Sequence, residues 1–153
     1  MYRLATIGYE GTTVDEFLDT LRGAKVELLV DVRAVAMSRR PGFAKTALAA
    51  NLRSAEIEYL HLRRLGTPAD GRAAARSGRH EEKKAIFLRQ LASPDAQSEL
   101  AVLADLIRSE RAICILCFEA DPAHCHRRLV AEALQQQMAL EVTDLFPGLA
   151  EGD

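Results

Sequence analysis

Residues 112–130, AICILCFEADPAHCHRRLV, constrain this chain more tightly than any other stretch. Ala112 to Phe118 is an apolar, β-favouring run of strand length. Asp121-Pro122 reads as a helix start, because Asp accepts from orphan amides and Pro suits the first helical position. Around these signals stand Cys117, Glu119, Cys125, His126 and Arg127. A strand, a polar turn and a helix carrying reactive side chains is how open α/β sheets bind ligands. At about 100° per residue, Leu129, Val130, Ala133 and Leu134 share a sheet-packing face. His126 lies one turn earlier on that line and should point at the strand ends. Cys125 and Arg127 flank it, and Arg128 turns away. A blander reading makes His126 a core residue and Asp121 a simple cap. Five polar or reactive residues on one turn favour a site.

The rest of the chain supplies the frame for that turn. Arg3–Ile7 is a short strand, followed by the loop Gly8-Tyr9-Glu10-Gly11-Thr12, whose two glycines tolerate unusual backbone angles. A Gly-x-x-Gly loop before a helix suits a phosphate but matches neither the dinucleotide fingerprint nor the P-loop. Thr13-x-x-Glu16 is a capping box before an apolar stripe of Val14, Phe17, Leu18 and Leu21, and Gly23 closes that helix. Val26–Val32 is the near-continuous apolar run of a central parallel strand. It ends in Asp31-Val32-Arg33, where period-2 alternation puts the charged pair on one face. Met37–Phe43 is a cationic turn in which Arg39 or Arg40 suits phosphate or carboxylate, and Phe43 suits a stacked ring.

Lys45–Arg53 reads as a helix and Ile57–Leu60 as a strand with His61 at its end. Residues 63–79 show no sustained period and read as a long basic loop, a class that is usually a lid or disordered. His80–Leu91 and Asp95–Ser109 read as helices, and Glu141–Leu145 as an edge strand. The order β-α-β-α-β-α-α-β-α-β predicts one α/β domain over residues 1–149 with a tail at 150–153. Its sheet is open, largely parallel and Rossmann-like, about five strands with helices on both faces, a three-layer α/β/α sandwich. Gly8–Gly11, Asp31–Phe43, His61–Gly66 and Cys117–Arg127 all follow strand ends. In a parallel sheet those ends lie on one edge, so the four segments converge.

Composition narrows the function. No apolar run approaches the roughly 20 residues of a membrane helix, and the start lacks a signal peptide's apolar core. A cytoplasmic protein without a membrane partner is expected. Three cysteines, an odd number, argue against a disulfide framework. Net charge is −2, yet residues 33–89 hold 13 Lys or Arg against 5 Asp or Glu. That surplus beside a candidate site points to an anionic ligand.

Cys114, Cys117, His124, Cys125 and His126 resemble a zinc ligand list, but structural zinc wants four convergent ligands. Cys114 and Cys117 stand at odd separation in a strand and face opposite sides. At most Cys117, Cys125 and one histidine remain, so no metal and no cofactor are expected. Cys125, near a helix start and Arg127, should have its thiolate favoured, and Cys117 less so unless an arginine reaches it. The phosphatase and rhodanese spacing of a cysteine, five residues and an arginine does not occur. Asp31 and Glu119 are alternative acid–base carboxylates, and the sequence does not choose between cysteine and carboxylate catalysis.

Four segments in order, IGYEG, DVR with SRRPGF, IEYLHLRRLG and CFEADPAHCHRRLVAEAL, together resemble the domain of unknown function 488 family. The likeness runs over residues 4 to about 135, and CHR after CFE is its most specific part. Members often carry a proline shortly after DVR, where this chain has Val35-Ala36. The resemblance implies an α/β fold and a prokaryotic cytoplasmic protein. It also implies that Asp31, Arg33, Ser38, Phe43, Cys117, Glu119, Cys125, His126 and Arg127 stand at motif positions. It brings no established reaction.

The reading that follows is a small enzyme acting on a phosphate-bearing, nucleotide-like ligand at the carboxyl edge of the sheet. Cys117, Glu119, Cys125, His126 and Asp31 are its candidate catalytic groups. Arg33, Arg39, Arg40 and Arg127 are the anion grips, helped by amides near Pro122. Tyr9, Glu10, Gly11, Ser38, Phe43 and His61 complete the ligand site. The alternative is a non-catalytic module that binds single-stranded nucleic acid through the basic 33–89 region. A third reading is an interaction domain whose polar cluster only fastens loops.

Overall fold

A computed structural model describes residues 1–148. The chain runs β1 (Tyr2–Gly8), α1 (Val14–Gly23), β2 (Leu28–Asp31), α2 (Lys45–Ser54), β3 (Glu58–His61), α3 (Ala69–Arg76), α4 (His80–Leu91), α5 (Pro94–Arg108), β4 (Ile113–Cys117), α6 (His126–Gln135) and β5 (Leu140–Leu145). Short 3₁₀ turns occupy Arg63–Leu65 and Pro122–His124. The expected tail at 150–153 lies outside the described residues.

All five strands pair parallel in the order β3-β2-β4-β1-β5. This is the three-layer α/β/α sandwich that the alternation of elements predicts. The central strands are buried on both faces, as their unbroken apolar runs require. Alternation along β4 sends Ile113, Ile115 and Cys117 into one core with α4, α5 and α6, and Cys114 and Leu116 into the other with α1 and α2. Cys114 is thereby plain core. Among the described residues no helix is long and apolar enough to cross a membrane.

Local signals explain most boundaries. Thr13 and Glu16 form the reciprocal capping box that starts α1, and Ser93 caps α5 ahead of Pro94. Two boundaries differ from expectation. Asp121 does cap a helix, since its Oδ1 accepts from Ala123 N at 2.9 Å, but that helix is the single 3₁₀ turn. The α-helix begins four residues after Pro122, at His126. Residues 63–79, expected as a loop, contain α3, which starts after Pro68 and presents Gly71 and Ala74 to α4. Small buried residues give a close helix pair without the apolar stripe a periodicity search needs.

The strand order places β1 and β4 side by side, with Gly8 opposite Cys117. From β1 the chain leaves through α1 on one face; from β4 it leaves through α6 on the other. The carboxyl ends of β1 and β4 therefore form a topological switch point, the crevice where such sheets bind ligands. Gly8 is needed there: a Cβ would overlap the Glu119 carbonyl and crowd Arg127 Nη1.

Candidate functional site

Two buried polar networks floor this crevice. In the first, Asp31, fully buried, accepts from Arg33 Nε at 2.9 Å, Arg33 Nη2 at 2.7 Å, the Arg33 amide at 3.1 Å and the Tyr59 hydroxyl at 2.6 Å. Arg33 Nη1 donates to the Phe43 carbonyl at 2.8 Å and the Tyr9 hydroxyl at 3.2 Å. Burial works against the Arg33 charge, but the Asp31 bond and charge outweigh it and hold its pKa above the ordinary value. Burial and the same carboxylate push the Tyr59 phenol up. Tyr9 and Phe43 stack at 4.6 Å, so the ring partner of Phe43 is this chain's own tyrosine. Asp31, expected as a catalytic group, and Arg33 and Phe43, expected as ligand-binding, hold the first two loops together.

The second network centres on Arg127, also fully buried. Its Nε donates to Thr6 Oγ1 at 3.1 Å, its Nη1 to Cys117 Sγ at 3.2 Å and to the Glu119 carbonyl, and its Nη2 to the Ala120 carbonyl at 3.3 Å. Burial lowers its pKa, and Asp144 opposes that. Arg127 thus ties β1, β4 and the following loop, with its donors spent inside the protein. His126 Nε2 stands 2.7 Å from the Val32 carbonyl, which joins the two networks. A carbonyl only accepts, so Nε2 carries the proton and Nδ1, 3.9 Å from Cys125 Sγ, is the free lone pair of the neutral ring. Burial lowers the His126 pKa and favours that neutral form.

Cys117 and Cys125 are joined as a disulfide across the turn, eight residues apart. A count of three cysteines cannot show this, because the pairing depends on a strand end meeting a helix start. The expected ranking of the thiols also changes. Arg127 reaches Cys117 rather than Cys125, so the guanidinium lies on the strand-end sulfur and not on the one at the helix start. Cys114 is inert: burial pushes its thiol up.

Above both networks lies a cleft of about 720 Å³. Tyr9, Arg33, Ser38, Arg39, Glu119 and His126, all expected site residues, are in its wall. Five further lining residues were legible only as part of a basic stretch or not at all: Thr67, Arg72, Arg76, Lys83 and Phe118. Among the described residues Arg39, Arg72 and Arg76 have no ion-pair partner. Lys83 pairs with Glu119 at 3.4 Å, and the Glu119 side chain is 31% exposed. The Thr67 hydroxyl is buried with no hydrogen-bond partner among the described residues.

The remaining expected residues fasten loops. Glu10 Oε1 accepts from the Ala120 amide at 3.1 Å, and Gly11 adopts φ +74° in the turn that follows. Ser38 Oγ accepts from the Arg40 amide at 3.1 Å, while Arg40 reaches back to the Thr12 carbonyl. His61 Nε2 meets the Arg33 carbonyl at 2.6 Å.

No curated protein and no solved structure matches this chain. The family model described as "Domain of unknown function DUF488" matches residues 13–134, which include the second to fourth strands, the paired cysteines and both buried networks' arginines. The chain belongs to the DUF488 family.

Proposed function

We propose that this protein is a small enzyme that takes a phosphate-bearing, nucleotide-like ligand in the cleft at the carboxyl edge of its sheet. One observation carries the reading: Arg39, Arg72 and Arg76 line a single cleft with no carboxylate partner among the described residues. Like charges held together near a surface repel one another, and a phosphate relieves that repulsion while guanidinium forks bind it bidentately. The Thr67 hydroxyl, without a hydrogen-bond partner among the described residues, supports the same reading, because a buried polar group without a partner costs free energy until a ligand or water meets it. Phe118, 43% exposed at the cleft, offers a face for a base.

Within this reading the anion grip is Arg39, Arg72, Arg76 and Lys83, and Arg33 and Arg127 position the loops beneath it. Glu119 is the proton-transfer group, since it is the carboxylate in the cleft wall that solvent reaches. Asp31 has its acceptor sites filled and serves as an anchor.

Thermal unfolding with inorganic phosphate, mononucleotides and short oligonucleotides tests the proposal, because a ligand of the native state raises apparent stability. Mononucleotides are expected to stabilise wild type, and the Arg39→Ala/Arg76→Ala double variant should lose the effect. Equal stabilisation of both proteins would sink it. Stabilisation by oligonucleotides alone, falling steeply with salt, would replace the enzyme with a nucleic-acid-binding module.

A further inference from the structure

We propose that the reduced protein binds one thiophilic divalent cation, zinc by its donor set, through Cys117 Sγ, Cys125 Sγ and His126 Nδ1. The three ligand atoms lie within 4.8 Å of one another, all on buried residues. The inference stands on this sulfur–imidazole geometry and does not depend on what occupies the cleft.

The histidine argues most strongly. Its Nε2–H is engaged by the Val32 carbonyl at 2.7 Å, which fixes the ring and leaves Nδ1 facing the sulfurs. Metal-binding imidazoles are oriented in this way, by donating the far nitrogen's proton to a backbone carbonyl or carboxylate. In the reduced chain the neighbour of Nδ1 at 3.9 Å is the Cys125 thiol, a weak donor that a cation displaces when it takes both the sulfur and the nitrogen as ligands.

The cysteines fit the same role. Arg127 Nη1 at 3.2 Å stabilises a thiolate on Cys117, and two thiolates neutralise a dication in a buried place. Their Cα atoms stand 7.1 Å apart. Opening of the bond frees the two sulfurs, one at a strand end and one at a helix start, to part around a cation. The fourth corner is left to a water or a ligand oxygen, the open position that catalytic zinc keeps. Glu119 Oε2 lies 3.7 Å from Cys117 Sγ. A hollow of about 400 Å³ between α4 and α6 has Cys125 and His126 in its wall and gives the ion access.

Loading requires reduction. A dithiol reductant supplies two electrons and two protons, the Cys117–Cys125 bond opens to two thiols, and the reductant becomes its own disulfide. The cation then displaces both thiol protons to solvent. A reducing compartment keeps the site open.

The test is cobalt titration of the full-length chain after reduction and chelator treatment, followed by zinc competition. One equivalent of Co²⁺ is expected to give a sulfur-to-cobalt charge-transfer band that zinc abolishes. Cys117→Ser and Cys125→Ser should each reduce the band and weaken binding by at least about 100-fold, since even outer-shell changes cost 10- to 100-fold. His126→Gln should weaken binding while leaving a sulfur band, and Cys114→Ala should change nothing. Circular dichroism of each variant separates a lost ligand from a lost fold, and the two serine variants preserve side-chain volume. Absence of the band in reduced wild type overturns the inference. So does a band undiminished in folded Cys117→Ser and Cys125→Ser, or equal binding by the oxidised chain.

Discussion

Arg127 donates to Cys117 Sγ at 3.2 Å from a position with no solvent exposure. The same guanidinium reaches Thr6 on the neighbouring strand and two carbonyls of the loop beyond β4. It is the peg through the switch point. A buried cation of this kind persists because each of its donors has an acceptor, which makes the arrangement costly to break and poorly suited to gripping ligand.

Arg127→Ala should therefore unfold the site rather than merely empty it. The truncation strips Thr6, Glu119 and Ala120 of a donor and leaves a void in the core of the crevice. A loss of about 3 kcal/mol is expected, read as a lower urea midpoint. An unchanged midpoint would show that the guanidinium is not structural.

Asp31→Asn should act through Arg33. The bidentate contact at 2.7 and 2.9 Å is replaced by a neutral amide that can match only one side of the fork. The buried guanidinium is left without a countercharge, at a cost of about 3–5 kcal/mol. Arg33→Met on top of Asp31→Asn should recover part of that loss, because it removes the orphaned charge. A double-mutant cycle by chemical denaturation measures the coupling, and strictly additive losses would refute it.

The Tyr59 phenol carries a pH signature. Its hydroxyl donates to Asp31 at 2.6 Å, and burial together with that carboxylate raises its pKa in the fold. Because the folded value lies above the unfolded one, its contribution is complete below about pH 10, the ordinary phenol value. It is lost as pH rises from there through the folded pKa. Urea midpoints at about pH 9 and about pH 11 should fall more in wild type than in Tyr59→Phe. Parallel falls would remove Tyr59 from the network.

Much of this arrangement is written locally. The runs at Val26–Val32 and Ala112–Phe118 hold the buried strands, and period-2 alternation separates Cys114 from Cys117. Strand ends on a parallel sheet must converge, so the address of the candidate site follows from order alone. What sequence does not encode is the direction of a long side chain. Arg33 and Arg39 are equally cationic in a string of letters, yet one is sealed against Asp31 and the other is exposed at the cleft. Helix α3 was hidden because Gly71 and Ala74 make its buried face, and with it went Arg72 and Arg76.

Arg76→Glu separates scaffold from site. Arg76 is exposed and forms no ion pair among the described residues, so the substitution removes no contact on which the fold depends. Stability in buffer should stay within about 0.5 kcal/mol of wild type. In the cleft, however, the change replaces an attraction for phosphate with a repulsion, and carboxylate forms no fork to it. The thermal shift produced by mononucleotides should vanish while the ligand-free unfolding temperature holds. A variant that keeps its shift would take α3 out of the anion grip and confine the ligand to the Arg39 and Lys83 side of the crevice.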